Sequence, residues 1–159
     1  MASLSDAPNP IGIRADVVNQ GSGGPGGTAF TLTDDANPVK KLTVWVARGG
    51  SPWTDRDLVK AIKVEWKDGK QRAQGNQTGN AHSFTFDEGE TVTALDLWTG
   101  DRVDRISMTT SEGRTFDHGG KYGNKHSEEL GNGVLIGFVG SAGENELVSL
   151  GAIFKEASD

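Results

Sequence analysis

The chain reads as an all-β domain built from three similar units closed about a pseudo-threefold axis. Three observations lead there. The first is a 44-residue repeat: Val59, Val103 and Leu147 recur at that step, as do Ile62, Ile106 and Leu150, then Val64, Met108 and Ala152, then Trp66, Thr110 and Phe154. Gly69 recurs as Gly113, and Gly75 as Gly119. A period of this length marks one supersecondary unit used several times. The second is the spacing within the unit: shared apolar positions stand two apart, which is the period of a strand with one face on a core. The third is composition. The chain has 23 glycines in 159 residues, about twice the ordinary share of ~7%. Many short strands need such turns, and close backbone approaches need a residue without Cβ.

The elements follow in order. The first ten residues are small and polar with two prolines, so they are expected to be loosely held, as an extension running to residue 17. Ile11, Ile13 and the Val17-Val18 pair mark where a first strand can begin. Gly21-Ser22-Gly23-Gly24-Pro25-Gly26-Gly27 is a turn, residues 29–32 a strand, and Asp34-Asp35-Ala36-Asn37-Pro38 another turn. Leu42, Val44 and Val46 alternate with Thr43, Trp45 and Ala47 as a half-buried strand, and residues 48–57 form a loop carrying Gly49-Gly50-Ser51-Pro52. A strand over 59–66 closes at Asp68-Gly69, and 75–80 is a polar glycine loop. The second unit has strands over 91–98 and 103–110 around a tight loop at 100–104, then a glycine loop over 117–124. The third has strands over 134–139 and 147–154 around a loop at 140–146. The 59–67 window can pass for a helix, but its alternation and its β-branched copies favour strand.

Length and composition bound the function. A chain of 159 residues is one domain, 1–159, and buries enough surface to need no staples. There is no cysteine, hence no disulfide or thiolate metal site. A formal charge of −6 argues against nucleic acid, which requires a basic stripe. No apolar run approaches the ~20 residues of a membrane-spanning helix. Residues 1–20 show no apolar signal core, so a cytoplasmic or non-classically secreted protein is the default expectation.

Several motifs agree with one known family. The glycine-rich N-terminal loop and the threefold strand-pair repeat resemble the jacalin-related lectins. So do the run Ile136-Gly137-Phe138-Val139-Gly140-Ser141-Ala142-Gly143 and the later Ser149-Leu150-Gly151-Ala152-Ile153-Phe154. The resemblance covers roughly residues 18–156. With Phe84-Thr85-Phe86-Asp87-Glu88-Gly89-Glu90 and Gly113-Arg114-Thr115-Phe116 it is most like the fungal members. It implies the β-prism I fold, three four-stranded Greek-key sheets with pseudo-threefold symmetry. It also implies a non-catalytic carbohydrate-binding function of the mannose/glucose type. A galactose preference usually goes with a processed N-terminus at the first glycine, and here 20 residues precede Gly21.

Family members hold a monosaccharide between a Gly-x-x-x-Asp loop and a Gly-Gly loop. The carboxylate accepts from two hydroxyls and bare backbone meets a third, a chemistry that suits a charged acceptor and residues without Cβ. The aligned acid positions here are Lys60, Asp104 and Val148, so only the second unit keeps the aspartate, as Gly100-Asp101-Arg102-Val103-Asp104. The resemblance therefore implies a sugar site at Asp104, with N–H groups of Arg102, Val103 and Gly119 or Gly120, and with Tyr122 or Trp98 as an apolar face. A second, weaker candidate pairs Gly23 and Gly24 with the altered loop Gly143-Glu144-Asn145-Glu146, where Glu144 or Glu146 would replace the missing acid. Against both stands the reading in which Asp104 is a solvated loop residue beside Arg102 or Arg105.

Other chemistry finds little support. His118 and His126 stand eight apart without cysteine or helical spacing, so no metal is expected, nor any other cofactor. Asp34-Asp35 and the Asp55/Asp57 pair lack calcium-loop spacing. Trp45 and Trp66 read as packing, and Trp53 and Trp98 as candidates for a binding rim. A glycosidase needs two opposed carboxylates, and Asp101 and Asp104 share one short loop, so no enzyme is expected. The competing function is a jacalin-like module with degraded sugar sites that targets a protein or a membrane. One shallow polar site binds weakly, and a homo-oligomer would supply avidity.

Overall fold

The structure, a computed structural model, describes residues 16–157. They form thirteen strands and no helix. Among these residues no helix is long and apolar enough to cross a membrane. The first unit comprises β4 (Val39–Arg48), β5 (Asp57–Trp66), β6 (Gln71–Gly75) and β7 (Asn80–Thr85), in the sheet order β6-β5-β4-β7. The second comprises β8 (Val92–Thr99), β9 (Val103–Thr110), β10 (Thr115–Gly119) and β11 (Asn124–Ser127), in the order β10-β9-β8-β11. In each, a hairpin gains its third strand on one side and a crossing fourth on the other, which is a Greek key.

The third sheet is assembled from both ends of the chain. The hairpin β12 (Leu135–Ala142) and β13 (Leu147–Lys155) takes β3 (Thr28–Leu32) on one side and β1 (Asp16–Val18) with β2 (Ser22–Gly23) on the other. β1 and β2 are two pieces of one outer strand: Val18 pairs Ile153 and Ser22 pairs Leu150. Between them the carbonyls of Asn19 and Gln20 pass over Gly151, where a Cβ would lie 2.3 Å from the Asn19 oxygen. Three four-stranded sheets result, as the family resemblance implied.

The repeat positions are the core. Val59, Val103 and Leu147, then Ile62, Ile106 and Leu150, then Val64, Met108 and Ala152 are all at 0% exposure. Their registers also match: Ile62 pairs Val44, and Ile106 pairs Leu97. Trp66 and Phe154 are fully buried, and the Trp66 indole N–H donates to the Ile136 carbonyl at 2.9 Å. Gly69 and Gly113 close equivalent turns, with φ of 92° and 76° and N–H bonds of 2.9 Å to Trp66 and Thr110. In the third copy the equivalent position is Ala157 rather than glycine, and β13 pairs with β1 as far as Lys155, opposite Asp16.

Some element boundaries differ from expectation. β2, β6, β7, β10 and β11 were not among the expected strands, and β10 runs through Gly119, inside the expected loop. These are edge strands; β11 is exposed at all four residues, so no alternation marks it. β12 continues to Ala142 through the expected 140–146 loop, because Gly140 and Ser141 ladder with Phe30 and Ala29 of β3. Asp16 and Val17 belong to β1 rather than to a loose extension, while Ile11 and Ile13 lie outside the described residues.

Candidate functional site

The three hairpin loops and the three glycine loops gather at one end of the prism. Gly23, Gly75 and Gly119 open the glycine loops with φ of 145°, 98° and 134°. A Cβ on each would lie 2.1, 2.4 and 2.2 Å from the carbonyl oxygen of Val148, Lys60 and Asp104 respectively. The next residue in each loop donates its N–H to that same oxygen: Gly24 at 3.1 Å, Asn76 at 2.9 Å, Gly120 at 2.7 Å. The backbone frame of the glycine loops is thus repeated three times, over a different side chain at each acid position.

In the first copy Lys60 is buried, and its ammonium donates to the Arg48 carbonyl at 2.9 Å and to Glu146 Oε1 at 3.1 Å. In the third copy Val148 is buried, with its Cγ2 against Gly27 and Gly143. In the second copy Asp104 sits in β9, at 2% exposure rather than in a solvated loop. Its Oδ2 meets neither solvent nor a hydrogen-bond donor. A Cβ on Gly123 would come within 2.8 Å of Oδ1, so the glycine loop lies directly over the carboxylate.

Neither neighbouring arginine neutralises Asp104. Arg105 forms a fork on Asp117 at 2.6 and 2.5 Å, and Arg102 reaches Glu146 at 3.3 Å while lying 4.0 Å over the Trp53 ring. Burial lifts the Asp104 carboxyl from 3.8 to about 6, against the attraction of Arg56 and with help from the nearby Asp101.

The remaining expected residues fall as follows. Gly100 has ordinary backbone, and a Cβ there would meet nothing within 4 Å. Asp101 is exposed, and its carbonyl backs onto Gly24. Val103 is a core residue, so only its backbone is available. The Gly120 N–H is already taken by the Asp104 carbonyl. Tyr122 is 48% exposed, with the Arg56 guanidinium 4.4 Å over its ring. Trp98 instead lies on the outer sheet face beneath Arg105 and Lys125.

The weaker pairing is not assembled as expected. Glu146 is buried at 3%, and its oxygens accept from the Gly50 N–H at 2.9 Å and from Lys60 and Arg102. Burial alone would raise its carboxyl, but these donors and cations outweigh it and hold it below the usual range. Asn145 packs against Gly50 of the first unit, Glu144 is exposed, and Gly24 packs against Asp101 of the second unit. Glu146 is therefore a tie between units rather than an acceptor facing Gly23 and Gly24.

Sequence reasoning missed Arg48 and Arg56, and weighed Asp55 and Asp57 only as calcium ligands. With Gly119, Gly120, Lys121 and Tyr122 they line a groove of about 460 Å³. The unequal length of the hairpin loops across the repeat was the available signal. His118 does not approach His126, which lies at the opposite edge of its sheet, but stacks on His82 at 3.9 Å. Asp87, Glu90 and Glu112 converge, but Arg114 already sits among them and holds Glu90 at about 2.

Residues 20–153 match the family model described as the jacalin-like lectin domain. The chain belongs to that family. Its members are non-catalytic carbohydrate-binding lectins. The lamprey immune protein is similar at 26% identity with a TM-score of 0.79 over 92% of this chain; this jacalin-like chain spans 46% of that protein. The wild-type Malaysian banana lectin (21% identity, TM-score 0.70) shares the fold over 91% of this chain and 99% of its own. A mannose-binding jacalin-related lectin from Ananas comosus (20%, TM-score 0.72) does so over 90% and 99%. The Calsepa lectin solved with a biantennary N-glycan (16%, TM-score 0.68) does so over 92% and 99%. No curated protein matches this jacalin-like chain significantly by sequence.

Proposed function

We propose that this protein is a lectin that binds one neutral hexose of the mannose/glucose kind per chain, at Asp104 beneath the loop 119–123. The observation that carries the reading is the buried carboxylate with an unpartnered oxygen. Leaving such a group without donors is costly, and a sugar that displaces the loop 119–123 from above the carboxylate would supply adjacent hydroxyls as the missing donors. Gly100 adds support. Neither its backbone nor its surroundings demand glycine, so its missing side chain leaves room for something from outside. The pineapple relative, described as mannose-binding, supports the choice of hexose. A single site of this kind binds weakly, so glycoprotein recognition would draw on several chains at once.

Calorimetric titration with methyl α-mannoside tests the reading. The wild type binds, and Asp104→Asn loses roughly ten- to a hundredfold in affinity, the worth of a charged hydrogen bond. Unchanged binding in the variant removes Asp104 from the site. A silent glycan array with retained capture of a protein or lipid moves the domain to a targeting role.

A further inference from the structure

Two units carry a tryptophan at the same place on the outside of the prism, and only one of the two is capped. Trp45 in β4 and Trp98 in β8 both stand on the outer faces of their sheets, next to the buried Val44 and Leu97. Trp98 has Arg105 as its register partner on one side and Lys125 on the other. Both cations close over the indole, at 4.7 and 6.0 Å from a ring centre, and Asp117 holds Arg105 in place. Trp45 has Ala61 and Ala81 in those two places. Ala61 and Arg105 are one 44-residue step apart, and so are Ala73 and Asp117. Each member of the cap is therefore alanine on the first sheet. Trp45 is partly exposed, and among the described residues no cation lies over its ring.

We propose that this outer face of the first sheet is a self-association surface, on which two copies of the chain pack face to face about a two-fold axis running along the strands between β4 and β5. The register across that axis carries the inference. From β4 to β5, Trp45 stands opposite Ala61, Thr43 opposite Lys63 and Lys41 opposite Glu65. In an isologous contact each residue meets the register partner of its counterpart. The bulky Trp45 then falls on the low ground of Ala61 and, beyond it, Gly75 of the second copy. Lys41 falls on Glu65 of the second copy, twice over by symmetry. These charges are available: Lys41 and Glu65 are neighbours in register, yet no ion pair joins them, and neither has one elsewhere among the described residues. An axis across the strands at the level of Lys63 would instead set that ammonium against its own copy, which is repulsive. Sheets packed in this way lie about 10 Å apart with their strands roughly aligned. A face four strands wide is small beside the roughly 800 Å² per partner of a standard interface, so a weak dimer is expected. With the axis along the strands, both loop ends face the same way. The inference stands apart from the sugar-binding reading of Asp104.

Sedimentation equilibrium of the full chain without sugar, from about 5 to about 200 µM, is the test. The wild type is expected to pass from monomer to dimer across that range. Ala81→Lys gives Trp45 the kind of neighbour that Trp98 has, and Glu65→Lys brings like charges together. Each is expected to weaken the dimer at least about tenfold. The exchange Lys41→Glu with Glu65→Lys restores opposite charges, and association should return to within about threefold of wild type. Trp98→Ala, on the capped face, should leave it unchanged. Thermal melting checks that every variant is folded. A wild type still monomeric at the highest concentration overturns the proposal. So does a dimer indifferent to both Ala81→Lys and Glu65→Lys, a dimer that Trp98→Ala disrupts instead, or a charge exchange that restores nothing.

Discussion

Burial of Asp104 with Oδ2 unpartnered costs the folded chain stability. Its carboxyl is lifted from 3.8 to about 6 on folding. The native state therefore holds the proton more tightly than the unfolded chain, and the penalty is absent below about pH 4, grows between, and is complete above about pH 6. The shift corresponds to up to about 3 kcal/mol. Asp104→Asn should accordingly be more stable than wild type in urea denaturation at pH 7.5, with the difference vanishing near pH 4. Protonation of the same carboxyl should weaken mannoside binding as pH falls below 6. Gly100→Ala makes a complementary case. With ordinary φ and open space around the new methyl, it should gain about 0.4–1 kcal/mol from the unfolded state. If a sugar approaches there, the same variant should lose affinity in the calorimeter. Glu146 behaves oppositely to Asp104. Glu146→Gln removes the partner of a buried ammonium, and a cost of about 3–5 kcal/mol is expected in denaturant titration. Lys60→Met combined with Glu146→Leu should recover part of it, because the buried ammonium is then gone while the Gly50 N–H and Arg102 still lose their acceptor.

At the scale of elements, the glycine loops join edge strands of one sheet and brace those of the next. β7 and β10 meet along a seam of Phe84, Phe116 and the stacked pair His82 and His118. Burial and the facing His82 lower the His118 pKa, against the pull of Asp117. The unfolded chain then binds protons more readily than the native one, so the seam's contribution is complete above about pH 6.5 and is lost as pH falls through the lowered value. His82→Phe removes one charge and keeps an aromatic in the stack. Its melting temperature should fall less than that of wild type between pH 7.5 and 5. An equal fall in both would place the acid sensitivity elsewhere. Since β10 ends in Gly119, the seam also anchors the start of the loop over Asp104.

The whole molecule is a threefold frame in which one copy retains the acid. Backbone at Gly23, Gly75 and Gly119 is equivalent, but the side chains beneath are Val148, Lys60 and Asp104. Titration should therefore give one mannoside per chain, and a stoichiometry of two or three would return the Lys60 or Val148 position to consideration. The frame also depends on both chain ends, since β1, β2 and β3 complete the sheet whose hairpin lies at the C-terminus. Substituting Val148→Asp should not create a second site by itself, because Gly27 and Gly143 already close around that side chain. A mannoside titration reading one site in that variant would agree.

Much of this was legible in the residues alone. Apolar alternation at a 44-residue step placed the core strands, because a buried face tolerates only one phase. The family resemblance, applied to the repeat, singled out Asp104 against Lys60 and Val148. Edge strands such as β11 escaped, since ladder hydrogen bonds between exposed residues leave no apolar pattern. Three-dimensional packing alone assigned Glu146 to Lys60 and Arg102, left Asp104 without a partner, and stood the hairpin 49–56 beside the loop at 119–123. The reason is physical. Periodicity records which side of a strand meets the core, while charge pairing and loop proximity depend on how separate units meet around the axis, a relation that no local spacing encodes.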